Sequence, residues 1–432
     1  MSPDTRRAPS TLPLIATTAA LLLAGCDVFT GPGDSPGPAP DQITELPRAL
    51  SSAELAMLDA SNAFGFDLLQ EIVRSAPDST HFLSPLSASM ALGMTMNGAA
   101  GETLDAMRKT LRFHGLSQEE INASYRELIK LFRGLDPEVS FRIANSVWHR
   151  EDLTPREAFA SAVRESFDAE VRGLNFSAPE TPSIVNRWVD EQTEGLIQEI
   201  VDDPIPNDMV MYLINAMYFQ GDWRNRFDPD RTHDDDFHLP DGSTATARFM
   251  TRSGGFEVGW TPDLTVVELP YGGDAFAMTV LVPAEPDELP ELVESLDPAS
   301  WDELVSNVTT ADSEVQLFFP RFTVEWEREL DPHLQDLGMG IAFIECQADF
   351  SGLFETGAQC PHISEVKQKS FVDVDEEGTE AAAVTSVGVR VTSAGPPTSI
   401  RVDRPFLFAI RERLSGTILF MGTMSEVPQA DG

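Results

Sequence analysis

Asp375-Glu-Glu-Gly-Thr-Glu-Ala-Ala-Ala-Val-Thr-Ser-Val-Gly-Val389 is the stretch on which the reading of this chain turns. After Gly378 come small and β-branched residues, with no proline and no aromatic, and the charges as far as Arg390 are Glu380 and Arg390 alone. Side chains alternate faces along a strand. With Thr379 turned inward, Ala381, Ala383, Thr385, Val387 and Val389 follow it, and every one is small or apolar. Glu380, Ala382, Ser386 and Arg390 then point outward, where water solvates both charges. Taken alone, the run also reads as an Ala-rich exposed loop or a helix end, but a loop needs no such order.

The flanking sequence favours the strand-competent reading. Val366 to Asp375 alternates Phe371 and Asp373 against Val372 and Val374, a strand pattern that ends in an acidic turn. Beyond a polar, Pro-containing stretch, Pro405 to Ile410 and Ile418 to Thr423 form two apolar strands linked through Ser415-Gly416. Together these residues closely resemble the serpin family, whose hinge, exposed reactive loop and C-terminal strand pair they match. The resemblance covers roughly residues 50 to 428. It recurs at Phe82-Leu-Ser-Pro-Leu-Ser-Ala-Ser89, at Ala99-Ala-Gly-Glu-Thr103, from Asn186 to Leu196, and at Asn215-Ala-Met-Tyr-Phe-Gln-Gly-Asp-Trp223.

That resemblance implies an α+β fold: helices packed around a large mixed main sheet and two smaller sheets, with an exposed reactive-centre loop at about 376–403. The hinge would be Glu376, Glu377, Gly378, Thr379, Glu380, Ala381, Ala382 and Ala383. Ser84, Ser87 and Asn215 would fall at the shutter, the polar cluster beneath the sheet where strands must part. Trp223 would cap the breach, where the loop first enters. The family often carries a histidine in the strand before the hinge, and here that position is Gln368. Glutamine still donates and accepts hydrogen bonds, but a pH-dependent shutter is not expected. Asn215 also reads simply as a buried amide satisfied by its neighbours.

The chain's N-terminus has a different composition. Arg6-Arg7, the apolar run from Leu12 to Leu23, and Leu23-Ala-Gly-Cys26 read as a bacterial lipoprotein signal over residues 1–25. The run is too short to span a bilayer as an ordinary helix. Cys26 is then the lipidated first residue of the mature chain; a plain secretory signal with a chance cysteine is the other reading. Residues 26–48, rich in Gly and Pro, form a flexible tether, and 49–428 form one domain. The expectation is an exported protein anchored to a membrane, on a periplasmic or cell-surface face.

Lys+Arg number 30 against 70 Asp+Glu, a formal net charge of −40. Such a charge disfavours nucleic acid and anionic membrane surfaces as partners. Cys346 and Cys360 sit in a loop-like stretch with Gly352, Gly357 and Pro361. In an exported protein they form either a disulfide, worth about 3 kcal/mol in the chain-entropy model, or two free thiols.

Ser51 with Glu54 is a capping-box pattern opening a helix through Leu55, Leu58, Phe64, Leu68 and Ile72. Ser84-Pro85 opens another to about Asn97, and Ser117 with Glu120 and Thr154-Pro155 with Glu157 mark two more, so the N-terminal half is expected to be mostly helical. Met209 to Phe219 reads as a strand buried on both faces. Phe237 to Leu239 and Thr244 to Met250 form a hairpin around Asp241-Gly242. Further strands are expected at 255–260, 264–269, 275–282 and 315–322, with short helices at 287–296 and 298–306. Helices first and strands later make the class α+β.

Catalytic machinery is not legible. No Gly-x-Ser-x-Gly elbow, His-Glu-x-x-His helix or phosphate-cradling loop occurs. Ser364-Glu-Val-Lys367 matches Ser-x-x-Lys without its partner motifs, and His233 and His238 around Asp234-Asp235-Asp236 read as a solvated acidic segment rather than a metal site. The protein is expected to be no enzyme, without cofactor or metal. Resemblance to inhibitory serpins implies a suicide substrate: a serine protease forms an acyl-enzyme on the loop, which then inserts into the main sheet. The family's usual spacing from Glu376 places the bait bond at Thr392-Ser393, which suits elastase-like or subtilisin-like enzymes, with a cysteine protease as a further option. Arg390-Val391 is the alternative bond. A monomer is expected; the other functional reading is a non-inhibitory member serving as a surface binding or structural protein.

Overall fold

The computed structural model describes residues 41–355, 360–379 and 398–426. The signal, Cys26, most of the tether, and the loop from Glu380 to Pro397 lie outside the described residues. Where capping was predicted, it is found at three helices. Ser51 caps α1 (Ser52–Ser75) and Ser117 caps α4 (Gln118–Phe132), each with a reciprocal Glu at the third helical position. Ser84 caps α2 (Pro85–Met96), with Pro85 at its first position. Thr154 caps nothing. Pro155 is still extended, bridged to Phe354, so α5 (Glu157–Phe167) starts only after Arg156.

Three sheets organise the molecule. An antiparallel sheet of seven strands runs β1 (His81–Leu83), β17 (Ile418–Met424), β16 (Phe406–Glu412), β9 (Phe276–Pro283), β8 (Leu264–Pro270), β7 (Glu257–Trp260) and β10 (Thr309–Thr310). Its centre is buried throughout: every residue of β9, β16 and β17 is buried, and among their mainly apolar side chains Arg411 is paired with Glu268 of β8 at 3.0 Å. A four-stranded sheet runs β15 (Thr398–Arg401), β11 (Val315–Pro320), β6 (Thr244–Gly254) and β5 (His233–His238). The third, mixed sheet of six strands runs β12 (Phe322–Glu329), β13 (Lys367–Val374), β14 (Gly378–Thr379), β4 (Met211–Asp222), β2 (Val139–Arg150) and β3 (Ala169–Leu174). By strand count the antiparallel sheet is the largest, yet the mixed one carries the hinge.

β2 and β3 correct the expectation of a mostly helical N-terminal half. In β2, Val139, Phe141 and Ile143 alternate with more exposed Ser140, Arg142 and Ala144, a half-buried strand pattern. Two helices were also not foreseen as such: α3 (Gly101–Thr110) and α6 (Thr181–Gln192). α6 packs on the mixed sheet, where Val185 and Val189 join Trp148, Ile197 and Ile214 in a second, smaller core. The short helices α7 (Leu289–Ser295) and α8 (Pro298–Ser306) stand where they were predicted.

Two features bear on the site. The segment ahead of α1 is strapped to the body: Ile43 N donates to the Gly273 carbonyl at 2.7 Å, and Ile43, Leu46 and Leu50 pack on the main core. Second, β4 and β13 do not pair with each other among the described residues; the two residues of β14 alone link them. Below β14 a cavity of about 130 Å³ lies between the strands, floored by α2. This explains why the apolar run at Met211, Tyr212 and Leu213 is only half-buried rather than covered on both faces.

Candidate functional site

The segment expected to act as the hinge begins in a tight acidic turn. Asp375 Oδ1 accepts the N–H groups of Glu377 (2.8 Å) and Gly378 (3.1 Å), and Asp375 N donates to the Gly378 carbonyl at 3.0 Å. The side chain thus satisfies donors that reversing chain direction would orphan. Burial pushes the Asp375 carboxyl above its ordinary value, against the pull of those N–H groups.

Past the turn, Gly378 and Thr379 pair antiparallel with Asp222 and Gly221 of β4, while Thr379 also faces Val374 of β13. Gly378 is required by space: a Cβ there would lie 2.2 Å from the Gly221 carbonyl oxygen and 2.7 Å from the Asp222 Cα. Thr379 is turned inward and only 3 % exposed, its hydroxyl 2.6 Å from the Tyr271 hydroxyl. Tyr271 is fully buried, which drives its phenol strongly up and keeps it neutral.

Trp223 ties this corner together. Its indole N–H donates to the Asp375 carbonyl (2.8 Å), its backbone N–H donates to the Glu377 carbonyl (2.7 Å), and its ring stacks on Tyr271 at 4.5 Å. Glu376 is buried: the Thr232 hydroxyl donates to its Oε1 at 2.5 Å, and Arg321 lies 3.5 Å from Oε2. Glu377, with Arg226 at 3.7 Å, has its carboxyl raised, chiefly by burial. Neither carboxylate of the hinge pair is therefore free of a cation.

The residues expected at the shutter line the cavity in two groups. Ser84 and Gln368 bond reciprocally, Gln368 Nε2 donating to the Ser84 carbonyl (3.0 Å) and Ser84 N donating to Gln368 Oε1 (3.2 Å). The Ser84 hydroxyl donates to the Leu419 carbonyl at 2.6 Å and accepts from Ser87 N at 3.2 Å. On the other wall, Asn215 Nδ2 donates to Asn145 Oδ1 at 2.7 Å, and Asn145 Nδ2 donates to the Phe167 carbonyl. Asn215 Oδ1 is buried with no hydrogen-bond partner among the described residues. Ser84, Ser87, Gln368 and Asn215 thus border one cavity, across which the Ser84 hydroxyl lies 3.4 Å from Met217 Sδ of β4.

The hinge tail Glu380, Ala381, Ala382 and Ala383, the bait candidates Thr392 and Ser393, their alternatives Arg390 and Val391, and Cys26 lie outside the described residues. Their flanks do not: the chain leaves the mixed sheet at Thr379 and re-enters the four-stranded sheet at Thr398. Cys346 and Cys360 are joined in a disulfide. Among the described residues no group of three or more His, Cys, Asp or Glu could hold a metal ion, and His233 to Asp236 form an edge strand in which Asp235 pairs with Arg401. Sequence reasoning missed Tyr271, Thr232, Arg321 and Asn145, whose partners are distant in the chain.

A family model described as Serpin (serine protease inhibitor) matches residues 59–427. The chain belongs to the serpin family. It is 31% identical to an uncharacterised serpin-like protein of Thermococcus kodakarensis over 95% of this chain and 97% of that one. It is also 31% identical to the leukocyte elastase inhibitor of Homo sapiens, over 85% of this chain and 98% of that one. Among solved structures, the thermophilic serpin tengpin in its native state superposes with a TM-score of 0.78 at 29% identity, covering 90% of this chain and 97% of that one. Human thyroxine-binding globulin superposes equally well, with a TM-score of 0.78 at 26% identity over 88% of this serpin and 100% of that chain. The fold is thus shared by relatives named as protease inhibitors and by one named for hormone binding.

Proposed function

We propose that this serpin is a suicide-substrate inhibitor of serine endopeptidases, elastase-like or subtilisin-like, with its bait at Thr392-Ser393, and that a lipid on Cys26 holds it to a membrane. The observation that carries the inhibitory reading is the seating of Gly378 and Thr379 between β13 and β4, above a cavity that separates the same two strands. Stepping on in the same antiparallel register, each further loop residue meets one residue earlier in β4, so an inserted Val389 falls opposite Met211, the first residue of β4. Every inward position on that path is small or apolar, so insertion meets no uncompensated charge. The ladder hydrogen bonds and burial so gained are the free energy that outruns deacylation.

Incubating the full-length protein with elastase and subtilisin tests this directly. The expected product is an SDS-resistant adduct, with loop-fragment masses ending at Thr392. Clean loop cleavage without an adduct would favour the non-inhibitory binding protein, and cleavage after Arg390 would move the bait bond. For the anchor, intact-mass analysis of the membrane fraction should show acyl mass on a chain beginning at Cys26. An unmodified chain beginning elsewhere would sink that part of the reading.

A further inference from the structure

At the foot of the cavity, opposite the hinge, stand described residues of the covalent ring that runs from Cys346 to Cys360. Phe350 and Leu353 of that ring line the cavity, and so does the wall segment that follows it, from Pro361 to Val366. The ring is fastened to the floor side: Gly352 N donates to the Gly98 carbonyl (3.0 Å), Ala100 N to the Asp349 carbonyl (2.9 Å), and Arg156 N to the Leu353 carbonyl (2.9 Å). The wall segment from Pro361 to Val366 is held outside regular strand pairing. Strand pairing of β13 with β12 starts only at Lys367. Before it, Ile363 N donates to the Ala342 carbonyl (2.9 Å), Val366 N donates to Asp331 Oδ1 (2.5 Å), and the Val366 carbonyl accepts from Leu330 N (2.7 Å). The disulfide is therefore a second covalent tie, beside the chain itself, between a ring anchored to the floor and a wall segment outside strand pairing. Extending the pairing of Val374 with Thr379 in an extended chain puts Thr392 opposite Pro361 and Ser393 opposite Cys360.

We propose that the Cys346–Cys360 disulfide is a redox-sensitive brace on the cavity foot, and that its reduction shifts the protein from trapping a protease toward being consumed by it. The second half rests on the inhibitory reading above. Trapping requires the arriving strand to pull against something stiffer than the acyl-linked protease. A foot whose wall is free to fray yields first, and the acyl-enzyme then has time to hydrolyse. Cys346 is exposed, so a soluble dithiol can reach the bond. In that exchange each cysteine sulfur gains one electron and one proton while the dithiol closes to its own disulfide.

The test compares oxidised full-length protein, the same protein treated with dithiothreitol, and the Cys346→Ser/Cys360→Ser variant, using a target protease without disulfides. Hydrogen exchange at the amides of Ile363 and Val366 should quicken at least severalfold on reduction and in the variant, while Val372 in the paired part of β13 stays unchanged. The number of inhibitor molecules consumed per protease trapped should rise severalfold in both, and dithiothreitol should add nothing to the variant. Unchanged exchange at Ile363 and Val366 would overturn the brace. Faster exchange with an unchanged stoichiometry would overturn its link to trapping. Should no state of the protein trap protease while exchange still responds, the inhibitory reading falls and the brace stands.

Discussion

Gly378 and Thr379 are seated by opposite demands, one for the absence of a side chain and one for a particular side chain. Gly378→Ala would drive a methyl group into the backbone of β4, where no rotamer can relieve it. The hinge should be expelled, at a cost of about 1–3 kcal/mol typical of overpacking; thermal unfolding should show a lower midpoint, and an unchanged one would mean that β14 does not pair in solution. Thr379→Arg makes a different kind of fault. A guanidinium at this buried position beside the Tyr271 hydroxyl is taken out of water, and such a charge costs several kcal/mol. That variant should be cleaved as a substrate, and trapping at near wild-type stoichiometry would show the inward register to be wrong. The inward face of Thr379 was legible from the alternation in the chain, whereas Gly378 came as a hinge residue through the family likeness. Tyr271 was not legible, because a tyrosine 108 positions away leaves no trace in local pattern.

At the scale of elements, the foot of β13 carries a titratable group of its own. Asp331 accepts the Val366 N–H, and burial, with Glu365 and Glu329 adding like charge, raises its carboxyl to about 6. An acid whose folded value lies above its unfolded one, about 4, favours the native state when protonated. Its contribution is complete below about pH 4 and is lost as pH rises through about 6. Asp331→Asn keeps an acceptor for Val366 and deletes the charge. Above pH 6 it should be more stable than the parent by about 1 kcal/mol, once the shift is discounted for the group's partial contact with solvent, and the gap should close by pH 4. Thermal unfolding of both proteins from pH 4 to 7 decides it, and a gap that does not change with pH would assign the effect elsewhere. Elements whose signals are local were readable in advance: the capping boxes at Ser51 and Ser117 are complete within four residues. Thr154 misled because tertiary pairing of Pro155 with Phe354 overrode a good local signal. β2 was passed over because its outward Ser140 and Arg142 dilute the apolar run that makes β4 conspicuous.

For the molecule as a whole, the decisive test is heat. Cleaving the loop between Val389 and Ser393 should raise the unfolding temperature, whereas nicking an ordinary surface loop lowers it or leaves it alone. A strand inserted from Glu380 to Val389 would gain ladder bonds on both edges, each worth roughly 1 kcal/mol net, and bury several methyl-bearing side chains at about 0.8 kcal/mol per CH₂-sized group. Such a gain rivals the stability of an entire domain. An unchanged or lowered midpoint would mean that the loop stays out, and the binding-protein reading would be preferred. The sheet architecture came through family likeness rather than through periodicity, since nothing local reveals that β4 and β13 stand apart.

The strap at Ile43 has a geometric corollary. Gly273, which it holds, follows closely on Tyr271, whose hydroxyl meets Thr379, so the chain arrives at the body beside the point where the bait departs. With a lipid on Cys26, the 15 steps to Asp41 (41 minus 26) could reach no further than about 50 Å. The enzymes such an anchored molecule could catch would be those that work within that length of the membrane.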